Sequence, residues 1–101
     1  MTGVQGVAIV LLGLCTAAAT ISHAQENVGK GPYAGNCQVC HGPEGRGDAG
    51  PSLVPLEKEY DEVRGIVREG TGQMPPISAE RVSDEEVKRI VEYLKSLKRS
   101  Q

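Results

Sequence analysis

The sequence predicts an all-α domain in which three to four short helices are joined by long loops. Two segments, residues 60–69 and 83–98, carry apolar side chains at the three- and four-residue spacing of an amphipathic helix. Residues 42–55 hold four glycines and three prolines, a composition typical of loop. No segment after residue 24 has a convincing strand pattern. Together these observations favour helices and loops without a sheet.

The last helix has the clearest sequence boundaries. Ser83, followed three residues later by Glu86, forms a capping box that predicts the start of a helix. Its apolar stripe extends almost to residue 98. The preceding helix is predicted over residues 60–69, because two acidic residues lie in its first turn and Gly70 follows its last.

The first helix is harder to place because it includes a proline. Pro32 lacks a backbone N–H and is best tolerated in the first turn of a helix. The sequence therefore predicts either a short helix that starts near Gly31 and Pro32 or a kinked helix from Val28. In both cases the helix is expected to run through Cys40 or His41.

The N-terminal segment differs in composition from everything after it. Residues 1–24 contain no Asp, Glu, Lys or Arg, so all 24 such residues lie beyond them. An apolar run over residues 6–14 precedes Ser22-His23-Ala24, which fits a small-x-small cleavage pattern. We expect a signal peptide over 1–24, cut after Ala24, and one exported, periplasmic domain over 25–101. An uncleaved membrane anchor and lipidation of Cys15 are the alternatives.

The run Cys37-Gln38-Val39-Cys40-His41 is the attachment signal of a c-type haem. Positions i, i+3 and i+4 share one face of a helical turn. Two thiols can therefore bond to one edge of the porphyrin while the His41 imidazole reaches the iron. The rival interpretations are a redox-active dithiol, which expects a thioredoxin-like strand–helix fold, and a zinc site, which lacks a fourth ligand.

Met74 is the candidate for the second axial ligand. It is the only methionine beyond the initiator, and it lies in a loop stiffened by Pro75 and Pro76. Outside residues 37–41, no other His, Cys or Met follows residue 24. Haem ligated by histidine and methionine is an established arrangement that raises the reduction potential.

The expected mature chain is poor in large aromatic side chains. It has three tyrosines and neither Phe nor Trp. Chains of this size bury little surface and lie close to the limit of independent stability. We therefore expect a covalently held haem to form the centre of the core.

These features resemble a small monohaem class I cytochrome c over nearly all of the chain from Val28 to about Leu97. The resemblance implies the cytochrome c fold wrapped around one covalent haem c. In that family a glycine and an aromatic residue four apart on the first helix pack against an aromatic residue of the last helix. Gly29, Tyr33 and Tyr93 match this pattern.

Two loops carry the rest of the resemblance. Gly50-Pro51-Ser52-Leu53 resembles the family's Gly-Pro-x-Leu stretch, which implies that the Pro51 carbonyl accepts a hydrogen bond from His41 and that Leu53 packs on the haem. Gly72-Gln73-Met74-Pro75 resembles the loop that carries the sulfur ligand. Arg46 is either a partner for a haem propionate or a solvated loop residue.

Filled axial positions favour an electron carrier over an enzyme, because little rearranges when the iron changes charge. The alternatives are a haem subunit fixed to a periplasmic dehydrogenase complex, and a peroxidase or gas sensor with a labile methionine ligand. The expected partners are redox proteins, a dehydrogenase and/or a terminal oxidase, with the chain a monomer or a subunit of a redox complex. The mixed, nearly balanced charges give no nucleic-acid surface and no polybasic membrane patch. No stable membrane insertion is expected after cleavage.

The predicted docking surface is an uncharged patch near the haem motif and the loop over residues 71–77 that carries Met74, here called the methionine loop. Association through such a patch should depend only weakly on salt. Its candidate residues are Gln38, Val39, Gly42, Pro75, Pro76 and Ile77.

Overall fold

The computed structural model describes residues 21–97 together with the isolated Gly3, Gly6 and Gly13, and it describes side chains from residue 28 onward. Apart from these three glycines, the predicted signal segment up to residue 20, which includes Cys15, lies outside the described residues. The predicted cleavage position after Ala24 falls within the first helix and stays a prediction. None of the helices in the described part is both long enough and apolar enough to cross a membrane.

The described chain is helical. Four α-helices, α1 (Ile21–Asn36), α2 (Gln38–His41), α3 (Tyr60–Glu69) and α4 (Asp84–Ser96), are accompanied by one short 3-10 turn at Pro43–Gly45. Within residues 21–97 the only β-type pairing is an isolated bridge between Thr71 and Met74. The predicted all-α fold class is therefore confirmed.

Helices α3 and α4 have nearly the bounds that their sequence patterns predict. Helix α3 spans Tyr60–Glu69, and Gly70 follows it at a φ of 75° that favours glycine. Helix α4 begins after Ser83, whose hydroxyl accepts a 3.1 Å hydrogen bond from the Glu86 N–H while the Glu86 carboxylate accepts one from the Ser83 N–H. The helix ends at Ser96, two residues before the predicted end.

Helix α1 differs from both sequence-based expectations. It starts at Ile21, earlier than predicted, and carries Pro32 in its interior. It ends at Asn36, and the separate turn of α2 begins after Cys37. Pro32 removes only one helical hydrogen bond, and the packing of α1 on α4, the most extensive between any two described elements, compensates for that loss.

The frame of the domain is the contact between α1 and α4. The Tyr33 and Tyr93 rings lie 5.6 Å apart in a tilted arrangement. A Cβ placed on Gly29 would lie only 2.0 Å from the carbonyl oxygen of Arg89, so the two helices touch at a point where only glycine fits. The Tyr33 hydroxyl donates a 2.6 Å hydrogen bond to the Gly42 carbonyl and thereby ties this frame to the loop after α2. The packing implied for Gly29, Tyr33 and Tyr93 is thus present.

Candidate haem-binding site

An apolar cavity of about 230 Å³ lies between α2, α3, α4 and the loops that join them. Three of the four predicted sulfur and imidazole donors, Cys37, His41 and Met74, line this one cavity. Pro51 and Leu53, both singled out in the sequence, line it as well. The other wall residues come from α3, α4 and the connecting loops: Leu56, Lys58, Val63, Ile66, Val67, Thr71, Ile77, Val82, Val87, Ile90 and Leu94.

His41 is held in a defined orientation. The side chain is buried, and its Nδ1 lies 2.8 Å from the Pro51 carbonyl oxygen. Because a carbonyl only accepts hydrogen bonds, Nδ1 is the protonated nitrogen and Nε2 keeps a free lone pair. Metal-binding histidines commonly donate their second ring N–H in this way. The hydrogen bond implied by the resemblance is therefore present.

The loop after α2 lies directly against the His41 ring. A Cβ on Gly50 would lie 3.2 Å from two atoms of the imidazole and 3.1 Å from the Cys40 carbonyl oxygen. The Gly50 N–H donates a 2.6 Å hydrogen bond to that same carbonyl. Glycine at this position lets the backbone approach the ring and present the next residue, Pro51, as its partner.

Met74 lies in a tight turn between α3 and α4. The backbone groups of Thr71 and Met74 pair in both directions, with N–O distances of 3.1 and 2.8 Å. Gly70 precedes this turn, and any side chain there would collide with the Met74 carbonyl oxygen, 2.7 Å from its Cβ position. The partly buried Met74 side chain is consequently fixed at the cavity by a short, stiff loop.

The two cysteines have different surroundings. Both are free thiols; Cys37 is partly buried and lines the cavity, whereas Cys40 is exposed and does not. Burial raises the pKa of the Cys37 thiol to about 11, so the thiolate is disfavoured. A redox-active dithiol needs the opposite, a lowered pKa. The described residues also hold no group of three or more His, Cys, Asp or Glu side chains arranged for a metal ion.

Lys58 is the only charged residue that lines the cavity within the described chain. Sequence reasoning missed it, because Glu57-Lys58-Glu59 reads as an ordinary solvated run. Arg46, the earlier candidate for contact with a propionate, is exposed, pairs with Glu44 at 3.2 Å and does not line the cavity. The one charged residue of the wall therefore comes from the loop before α3, and because the lining surface is apolar, Lys58 contributes its aliphatic stem while the side chain as a whole is exposed.

The predicted docking patch needs correction at two positions. Gly42 and Ile77 are buried, because Gly42 lies under the Tyr33 hydroxyl and Ile77 packs in the core with its N–H bonded to Val67. Val39 is 80% exposed, the largest exposure of any large apolar side chain described. Pro75 and Pro76 are exposed and Gln38 is partly so. These four residues are the part of the patch that a partner can reach.

Two curated proteins are similar to this chain over about two thirds of its length. The cbb3-type cytochrome c oxidase subunit CcoP of Rubrivivax gelatinosus is 33% identical over 76 residues, which cover 69% of this chain and 25% of that protein. A cytochrome c-553-like protein of Synechocystis sp. is 32% identical over 69 residues, which cover 68% of this chain and 66% of that protein. The chain therefore spans a quarter of one relative and slightly less than two thirds of the other.

Residues 24–94 match the model of a protein family described as cytochrome c oxidase, cbb3-type, subunit III. This match covers well over half of the chain and includes every residue that lines the cavity. The chain therefore belongs to this family and is a small class I cytochrome c.

Proposed function

We propose that the protein is an exported carrier of single electrons that binds one haem c covalently through Cys37 and Cys40, with His41 and Met74 as axial ligands. The observation that carries the proposal is the meeting of Cys37, His41 and Met74 at one apolar cavity. The donor set fits the group, because a thiol, an imidazole with a free Nε2 and a thioether are the groups that c-type haem requires.

When bound, the haem supplies reversible one-electron chemistry at iron, and the protein residues set its conditions. The Pro51 carbonyl fixes the His41 tautomer and makes the imidazole a better donor. The soft Met74 sulfur and the apolar wall both favour the ferrous form and so raise the reduction potential. The stiff turn around Met74 limits rearrangement between the two oxidation states.

Lys58 is the residue best placed to hold the carboxylates of the haem. It is the one charged residue among the described wall residues, and because its stem lines the apolar cavity while the side chain is exposed, its ammonium group could meet a propionate at the rim. Electron exchange is expected at the surface formed by the exposed Cys40 and Val39, where the cofactor's attachment edge would approach solvent.

Transport to the periplasm with removal of residues 1–24 is part of this proposal, as are redox proteins as partners. The similarity to CcoP supports a haem subunit of a terminal oxidase, and the similarity to a cytochrome c-553-like protein supports a free carrier. A subunit of a periplasmic dehydrogenase complex is the further variant. A peroxidase or gas sensor is disfavoured, because the described cavity wall contains neither a second histidine nor an arginine.

Visible spectroscopy of the periplasmic holoprotein tests the proposal. The reduced protein should show a sharp c-type band, and the oxidised protein should show the weak methionine–iron band. The haem should also stay attached to the polypeptide after denaturation, since it is covalent. Met74→Ala should abolish the latter band and allow the reduced protein to bind carbon monoxide. Gln73→Ala, an exposed neighbour outside the cavity wall, serves as the matched control and should change neither property. Rapid carbon monoxide binding by the unmodified protein would contradict the assigned ligation.

A further inference from the structure

Arg68, in the last turn of α3, makes two contacts with the segment that follows the methionine turn. One terminal guanidinium nitrogen donates a 3.1 Å hydrogen bond to the Ile77 carbonyl, and the other lies 2.7 Å from the Asp84 carboxylate. Its side chain is only 19% exposed, whereas the cations of the other described ion pairs are between 34% and 57% exposed. Arg68 is thus the most sheltered cation of these ion pairs.

Both backbone polar groups of Ile77, the N–H and the carbonyl, are hydrogen-bonded. Its N–H donates a 2.7 Å hydrogen bond to the Val67 carbonyl of α3, and its carbonyl accepts from Arg68. Ile77 lies three residues after Met74 and is itself buried at the cavity. The Thr71 pairing fixes the start of the methionine loop, and the two Ile77 bonds fix its end.

Asp84 extends this connection to the last helix. As the first residue of α4, it accepts from Arg68 and, at 3.0 Å, from Arg64. Of these two arginines, only Arg68 also reaches the methionine loop. The guanidinium fork, with two donors in a fixed plane, suits a residue that must bridge a carbonyl and a carboxylate.

We propose that Arg68 is a positioning residue for the iron ligand: by bonding Ile77 and Asp84 together it locks the methionine loop onto α3 and α4 and keeps the Met74 thioether at the cavity. This inference rests on the proposed ligation by Met74. Loss of Arg68 should loosen the loop, so that an external ligand displaces the methionine more easily. The displacement is an exchange of one neutral donor for another at iron and involves no electron transfer.

Imidazole titration of the oxidised holoprotein tests this role, with displacement followed by loss of the methionine–iron band. Arg68→Met removes both hydrogen bonds and retains much of the side-chain stem, so the apparent imidazole affinity should rise by about tenfold or more, as expected for loss of a charge-assisted hydrogen bond. Arg64→Met is the matched control: it removes a cation from the same Asp84 without touching the loop, and should shift the affinity less than about twofold. Arg68→Lys keeps the charge but not the planar fork and should give an intermediate value.

The results separate the two proposals. An unmodified protein without a methionine–iron band contradicts the ligation itself. A band that is present, with equal imidazole affinities in Arg68→Met and Arg64→Met, overturns the role of Arg68. If Arg68→Met is not recovered folded, an Arg68→Lys protein that binds imidazole no more tightly than the unmodified protein overturns it too. Thermal unfolding of each variant is measured in parallel. If the imidazole affinity of the Arg68 and Arg64 variants changes simply in proportion to their loss of melting temperature, the positioning role of Arg68 is also contradicted.

Discussion

Replacing Gly29 with alanine should separate the two helices that frame the domain. The added methyl group would lie 2.0 Å from the Arg89 carbonyl oxygen, 2.6 Å from its carbon and 2.7 Å from the Tyr93 Cβ. Carbon atoms in contact normally lie about 3.5–4.0 Å apart. Two of these three neighbours are backbone atoms of α4, so a change of rotamer does not relieve the overlap. The helices must move apart by roughly an ångström or more.

The expected free-energy change follows from two opposing effects. Overpacking a well-packed contact costs about 1–3 kcal/mol, and a clash with backbone belongs at the upper end of that range. Alanine in place of glycine in a helix returns up to about 1 kcal/mol. Gly29→Ala should therefore lower the free energy of unfolding by about 2 kcal/mol, which for a domain of this size is a fall in melting temperature of roughly 8–16 °C.

Thermal unfolding of the holoprotein, followed by circular dichroism, provides the measurement, and α1 itself provides the control. A Cβ on Gly35 meets nothing within 4 Å. Gly35→Ala should therefore leave the melting temperature unchanged or raise it by a few degrees, at about 4–8 °C per kcal/mol. A Gly29→Ala protein that melts at or above the unmodified protein would refute the close helix contact, as would equal losses in the two variants.

Three further predictions concern single polar groups. Tyr33→Phe should cost about 1–3 kcal/mol, because it leaves the buried Gly42 carbonyl without its donor. Burial also raises the pKa of Tyr33 to about 12, so the stability that the neutral phenol confers is complete below pH 10.0 and is lost as the pH rises through about 12. Denaturant titrations should find a smaller alkaline loss in Tyr33→Phe than in the unmodified protein, since Tyr93, whose pKa burial also raises, is present in both, and equal losses would contradict this role of Tyr33. Hydrogen bonds from two arginines hold the pKa of Asp84 below its ordinary value. The contribution of the ionised Asp84 to the free energy of unfolding is therefore complete above about pH 3.9 and is lost as the pH falls through the lower pKa of the folded state. Asp84→Asn should flatten this part of the acid unfolding curve, and an unchanged curve would contradict the prediction. Lys58→Gln should lower the haem reduction potential by an amount on the order of tens of millivolts, because a cation at the rim of the cavity favours ferrous iron. Lys88→Gln, outside the cavity wall, should leave the potential unchanged, and equal potentials of the two variants in a redox titration would contradict the role of Lys58.

Local chemistry made part of the fold predictable from the sequence. The Ser83 and Glu86 pair places the start of α4 because each side chain satisfies a backbone group of the other within one turn. The bounds of α3 follow from its apolar stripe and from Gly70. Cys37 and His41 reach one cavity because residues four apart share a face of the helical turn that this segment forms.

Features that depend on distant packing were not predictable in the same way. Pro32 opposes a continuous α1, and the compensation comes from α4, almost sixty residues away, which no local pattern reveals. Ile77 looked like a surface residue because it follows two prolines, yet its N–H bonds to α3 and its side chain fills the core. Arg68 and Lys58 resemble any solvated cation in the sequence, and only the tertiary structure assigns them partners or a cavity.

The crossing at Gly29 has a topological consequence. By joining α1 to the Arg89–Tyr93 turn of α4, it closes the chain into a ring of about sixty residues that contains all but one of the cavity-lining side chains. Lengthening such a ring is cheap, because the entropy of closure grows only logarithmically, by about 0.6 kcal/mol for each doubling. Insertions in the exposed stretch at Glu57 should therefore change the shape of the cavity rim and leave the contact between Gly29 and α4 intact.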